Sequence, residues 1–189
     1  MASLGSALLL IPGGARAERY LSIEEAQQVC FPQASRFEIE VLRLTPEQSR
    51  DIAKQAGGKK PNPSYRIWIA RNGTNVLGTL IVDKVPGKHE LIDYAVAIAA
   101  DGKIQQIEIL EYRENYGSQI RNAKWREQFK GKTSAAKLKL NDDVYNISGA
   151  TISCRNVTDG VKCVLAAFDL VVRPRFHSAG RLPDATAKP

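Results

Sequence analysis

Two histidines and three cysteines are all the soft metal ligands that the 189 residues offer. They form no C-x-x-C-H and no ligand-spaced Cys/His cluster, which argues against c-type haem attachment and structural zinc. His89 and His177 are too few to build a histidine-based metal centre or catalytic triad. No later stretch reaches 18 consecutive apolar residues, so no membrane-spanning helix is expected in the mature chain. The charge is lopsided at +7 with a pI near 9.4, yet acids interrupt the bases, as in "EYRENYGSQIRNAKWREQFKGK". No helix-turn-helix, zinc-finger or RNA-binding signature accompanies them, and nucleic acid is not an expected partner. Cysteine pairing is limited too. Cys154 and Cys163 lie nine residues apart on one expected helix, on opposite sides and about 13 Å apart along its axis, so they cannot bridge each other. Cys30 could pair with either, leaving one thiol odd. The "QQV" before Cys30 is not a lipid-attachment site.

What remains is ordinary for a globular chain: 43% apolar, 25% charged, and long enough for one well-packed domain. The first residues, "MASLGSALLLIPGGARAERY", contain an apolar core at Ala7 to Ile11 and a small-x-small site favouring a cut after Ala17. Residues 1–17 are therefore expected to be an export signal with no charged leading region, and the protein to work in the periplasm or another extracytoplasmic space. A domain is expected over 18–172, and a loose Pro-, Gly- and Ala-containing tail over 173–189.

Between those ends the pattern alternates between helix and strand periods. "SIEEAQQVCF" opens with a capping box, Ser22 and Glu25. "RFEIEVLRL" alternates as a strand, and "TPEQSRDIAKQAGG" has proline at its start and glycine at its end, as a helix should. "YRIWIA" and "VLGTLIVDKV" form a hairpin about Asn72-Gly73, and "ELIDYAVAIA" and "IQQIEILEYRE" a second about "ADGK". A polar helix follows over "SQIRNAKWREQFKG", burying Ile120, Trp125 and Phe129. "KLKLNDDVYNIS" reads as a further strand. The last helix, "TISCRNVTDGVKCVLAAFDLVV", carries one apolar stripe of Cys154, Val157, Val161, Val164, Leu165 and Phe168, with Arg155, Asp159 and Lys162 outside it. The fold class is α+β: an antiparallel sheet with flanking helices in a single compact domain.

The chemistry concentrates in "SGAT", residues 148–151, between that strand and the last helix. A helix start leaves backbone N–H groups unpaired and carries partial positive charge, which suits a phosphate. Gly149 and Ala150 present little bulk, and Ser148, Thr151 and Ser153 present hydroxyls. The same residues also suit plain helix capping.

"SGATISCRNVTDGV" resembles the flavinylation motif of the FMN-binding domain family, which includes the peripheral flavin subunits of the sodium-pumping NADH:quinone reductase and Rnf complexes and domains of NosR-type proteins. The resemblance implies that Thr151 is esterified to the phosphate of FMN by a dedicated FMN transferase, with Ser148, Gly149, Ala150, Ile152 and Ser153 around that phosphate. It extends upstream. Glu114 and Gly117 match a Glu-and-Gly loop, although "NYGSQ" departs from the commoner Thr-Pro-Gly-Leu-Gly form. Trp125, Phe129, Gly131 and Lys132 match the segment after it, and the whole likeness covers roughly residues 22 to 172. Lys88 and His89 match a basic pair often present there in the family and are candidates for contact with the flavin or its phosphate, a solvated turn being the plainer reading. Tyr116 and Trp125 are candidates for stacking on the ring. Tyr145 stands where many members have an acidic residue, and FMN held without the ester is the alternative this departure leaves open. The implied protein is an exported flavin electron carrier, and its net positive charge suits acidic redox partners. A ligand-binding or sensory module on the same fold, without flavin, is the other reading.

Overall fold

The computed structural model describes residues 18–114 and 116–178. The expected export signal and residues 179–189 of the expected tail lie outside them. Six antiparallel strands form one sheet in the order β1-β6-β5-β4-β3-β2, with β1 at Glu18–Arg19, β2 at Arg36–Arg43, β3 at Ser64–Asn72, β4 at Asn75–Pro86, β5 at Leu91–Ala99 and β6 at Ile104–Tyr112. Both expected hairpins are present. The first turns on Gly73 and Thr74, one residue later than the sequence suggests, because Asn72 pairs directly with Asn75. Gly73, at φ +59°, supplies the left-handed residue that turn needs.

The period of two sorts the strand side chains onto two faces. Tyr65, Ile67 and Ile69 of β3, Ile81 and Val85 of β4, and Ile92, Tyr94, Val96 and Ile98 of β5 pack beneath the long C-terminal helix. The opposite face carries smaller groups, Ala70, Ala95 and Ala97 beside Trp68, Leu80 and Val82. The short helix α1 (Ile23–Cys30) fits against them, and its capping box is formed as expected: Glu25 N–H bonds Ser22 Oγ, and Ser22 N–H bonds the Glu25 carboxylate. Helix α2 (Pro46–Gln55) has the same device at Thr45 and Gln48 and packs Ile52 into the larger core.

Three expectations change after β6. The polar helix is shorter than its pattern, a 3₁₀ turn at Ser118–Arg121 and then α3 at Ala123–Glu127, because Asn122 interrupts with its side chain capping Lys124 N–H. Its anchors hold nonetheless: Ile120, Trp125 and Phe129 are buried. "KLKLNDDVYNIS" is not a strand. The sheet's two edges are β1 and β2, and this segment reaches neither. Instead it coils, with Leu138 and Asn141 at positive φ, around the Asp143 carboxylate, which accepts the N–H groups of Leu138 and Lys139 and the Lys132 ammonium. Its alternating apolar residues Leu138 and Val144 plug the core end-on. Finally, the last helix does not end at 172. After α4 (Thr151–Ala167) come a π-type turn at Phe168–Val172 and α5 (Arg173–Ser178), so the expected loose tail is helical over 173–178, with Phe176 buried.

The cysteines are all buried and unpaired. Cys30 ends α1 on one side of the sheet, and Cys154 and Cys163 lie on the other, so the sheet stands between Cys30 and both of its possible partners. Burial pushes the Cys30 and Cys163 thiols up to about 12, which makes them inert packing groups. Among the described residues no helix is long and apolar enough to cross a membrane, and no group of three or more metal-ligating side chains gathers.

Candidate functional site

The expected apolar stripe of α4 is fully buried, from Cys154 through Val157, Val161, Val164 and Leu165 to Phe168, and Arg155 is exposed. Gly160 lets this helix lie close on the sheet, since a Cβ there would stand 2.3 Å from the Tyr94 hydroxyl. That hydroxyl donates to Asp83 Oδ2 at 2.7 Å. The packing fixes where the helix begins, and its first turn opens into a cleft of ≈ 360 Å³. Lys88, His89, Glu114, Tyr116, Gly149, Ala150, Thr151, Ile152 and Ser153 line the cleft. Eight of the ten residues singled out from the sequence thus converge, although they come from three separated segments.

The capping explanation of "SGAT" does not survive. The N-cap of α4 is Ala150, and no side chain caps the helix. Ser148 sits in the exposed preceding turn and does not line the cleft. Gly149 is demanded by its backbone, at φ +82°, and not by crowding, because a Cβ there would meet nothing within 4 Å. The Thr151 hydroxyl, half-buried in the cleft wall, accepts a hydrogen bond from Asn146 Nδ2 at 2.9 Å. Ser153 points the other way, into the floor, where it bonds the Tyr112 hydroxyl at 2.9 Å. Tyr112 in turn donates to the backbone oxygen of Tyr116 at 2.5 Å. Gly117, at φ +93°, lies under the cleft against both hydroxyls and does not line it.

Glu114 is a latch. Its Oε1 accepts the N–H groups of His89 at 2.5 Å and Glu90 at 3.0 Å, closing the turn that carries Lys88 and His89. Gly87 leaves room for it: a Cβ there would stand 2.5 Å from that oxygen. Partial burial tends to raise the Glu114 pKa, but the N–H bonds from Glu90, His89 and Lys88 outweigh it and hold the carboxyl below the usual glutamate value. With a depressed folded-state pKa, the latch contributes its full stability above about 4.5 and loses it as pH falls through the folded value. Amide exchange at His89 and Glu90 should therefore stay protected from neutral pH down to that region and open below it. Glu114→Ala should expose both amides at every pH.

The two aromatic candidates separate. Tyr116 is 86% exposed on the cleft wall, whereas Trp125 is buried, stacked edge-on against Phe129 at 5.1 Å, and cannot meet a ligand in the cleft. Trp125 serves the site indirectly, because its Nε1–H bonds the Tyr145 carbonyl at 2.9 Å. The Tyr145 ring, 76% exposed, stands outside the cleft, so the departure from the common acidic residue leaves the cleft walls untouched. Sequence reasoning missed Asn146 and Tyr112. Asn146 lies two residues before the motif with no spacing signal of its own, and Tyr112 reads simply as the end of a strand.

An uncapped helix start, a left-handed glycine before it, a hydroxyl in the wall and a flanking basic pair make an arrangement suited to a phosphorylated ligand. The volume lies in the range of cofactor pockets, roughly 300–1,000 Å³, and the residues present fit an FMN phosphate. Comparison with known proteins gives the class a name. Residues 87–166 match the model of the FMN-binding domain. Every candidate site residue lies within this span. A component of the proton-translocating ferredoxin:NAD(+) oxidoreductase complex of Clostridium ljungdahlii is 28% identical over 110 residues, covering 54% of this chain and 60% of that protein. The match thus spans less than two thirds of that relative's length. Among solved structures, NqrC of Shewanella oneidensis superposes with a TM-score of 0.54 at 16% identity, over 80% of this chain and 88% of its own. The corresponding component of the Na(+)-translocating NADH-quinone reductase of Parabacteroides distasonis gives 0.53 at 14%, over 81% and 84%. These two share the fold.

Proposed function

We propose that this protein is an electron-transfer carrier whose FMN is tethered by a phosphoester to Thr151 and which works outside the cytoplasm. One observation carries the reading most directly: the first turn of α4 has no side-chain cap and opens on the cleft with the Thr151 hydroxyl in its wall. When bound, FMN supplies reversible electron transfer through its ring. The chain's own residues would do the holding. Backbone N–H groups of the first turn, with Lys88 and His89 across the cleft, would neutralise the phosphate. Gly149 keeps the approach to those N–H groups open, and Tyr116 offers an exposed ring face on the wall. The protein's role on this reading is to carry electrons between partners. The net positive charge favours acidic ones. A covalent tether suits an exported protein, which leaves the cytoplasmic supply of flavin behind. The small-x-small site ending at Ala17 supports export.

The test is direct. With an FMN transferase co-expressed, the denatured protein should run as a flavin-fluorescent band heavier by one FMN residue. Thr151→Ala should remove the label entirely. Colour that is lost on denaturation would leave FMN bound without the ester. A colourless protein under both conditions would favour the ligand-binding module instead. N-terminal mass analysis of secreted material should find a chain starting at Glu18.

A further inference from the structure

If Thr151 is the attachment point, its hydroxyl must be presented for reaction, and the structure contains a device for that. We infer that Asn146 is a positioning residue for phosphoester formation, holding Thr151 Oγ1 toward the cleft. The inference rests on the tether reading and goes beyond it.

Threonine in a helix divides between two side-chain rotamers, because its hydroxyl can turn back to a carbonyl three or four residues earlier. Thr151 is the first residue of α4, with no preceding turn of helix to offer such a carbonyl. Asn146 Nδ2 bonds Oγ1 at 2.9 Å and fixes where that oxygen lies. Asn146 is itself held from below, since its neighbour Tyr145 is clamped on both sides of the chain. The Tyr145 carbonyl accepts Trp125 Nε1–H at 2.9 Å, and the Tyr145 N–H donates to Gln128 Oε1 at 2.6 Å. The hold has a cost. Asn146 Oδ1 is buried with no hydrogen-bond partner, a state that ordinarily destabilises a fold. An apolar side chain of the same size would avoid that penalty, so the amide is better explained by its bond to Thr151 than by packing.

The reaction it serves balances as follows. Thr151 Oγ1 attacks the flavin-side phosphorus of a flavin phosphoanhydride supplied by the transferase. The new O–P bond forms as the anhydride P–O bond breaks, a nucleoside monophosphate leaves with the electron pair, and the hydroxyl proton passes to a base on the transferase. Asn146 gives and takes no proton.

Isolated full-length protein, a purified FMN transferase and flavin adenine dinucleotide as the phosphoanhydride probe suffice, with labelling followed by intact mass. Asn146→Leu keeps the branched shape and the number of heavy atoms and removes both the bond and the orphaned oxygen. It should melt no lower than the parent, yet its labelling kcat should fall about tenfold with KM unchanged, because docking is intact and only the reactive rotamer is depleted. Asn146→Asp, which can hold the same oxygen by accepting its proton, should restore most of the rate. Asn146→Ala stands in should leucine not fold. Labelling of Asn146→Leu at the parental rate, a change confined to KM, or an aspartate variant as slow as the leucine one would each overturn the inference while leaving the tether intact. A parent that takes no label at all would overturn the tether, and this inference with it.

Discussion

Gly160→Ala should destabilise the protein by about 2 kcal/mol, although alanine is the better helix former. Propensity favours the change by about 1 kcal/mol. Against it, the new methyl carbon would lie 2.3 Å from the Tyr94 hydroxyl and 2.7 Å from Val85 Cγ1. Tyr94 is fully buried and hydrogen-bonded to Asp83, whose other oxygen takes Asn62 Nδ2 at 2.6 Å, so it cannot swing aside. Overpacking a core of this kind costs about 1–3 kcal/mol or more, and the steric term wins. Because α4 carries Thr151 at its first position, a helix lifted off the sheet displaces the site as well. Urea melts should show the loss, and labelling of Thr151 should slow with it. A variant that melts at or above the parental midpoint would sink this account of helix–sheet contact.

Gly117→Ala should have an effect of similar size confined to the floor of the cleft. Two penalties act together. The backbone sits at φ +93°, where a side chain costs about 1–2 kcal/mol. The added carbon would also stand 2.4 Å from the Tyr112 hydroxyl and 3.3 Å from Ser153 Oγ. Only the second penalty depends on Tyr112. Tyr112→Phe alone should cost about 1 kcal/mol through the lost bonds to the Tyr116 carbonyl and Ser153. The double variant should then be less destabilised than the sum of the two singles, since phenylalanine removes the atom in the way. Strict additivity in thermal melts would mean that the loop does not rest on that hydroxyl.

How far the site could be read in advance depends on the kind of interaction involved. The motif at 148–151, the basic pair at 88–89 and Glu114 are legible as residue types, and the cleft brings them together. Their roles were less legible. Glu114 serves the backbone of its neighbours across the sheet end, and Ser153 turns to the floor. Both are settled by which hydrogen-bond partners come near in three dimensions. Trp125 reads equally well as a ring-stacking residue or a core anchor, and only its burial beside Phe129 decides the matter.

The same division holds for the fold. Local chemistry carried by a few adjacent residues was decided by the sequence alone: the capping box at Ser22, the proline and glycines that bound α2, the two hairpins and the α4 stripe. Periodicity and turn stereochemistry act over one or two turns of chain. The tertiary structure decided what depends on distant partners. Residues 137–148 have a strand's alternation but reach neither edge of the sheet, and they coil around Asp143. The helix past 172 continues because Phe176 finds a core to enter. Cys30 stays apart from the other two cysteines because a sheet lies between them. The start of α4 is left without a cap, and that too is a property of the folded chain: it is the surrounding walls that turn a bare helix start into a cleft.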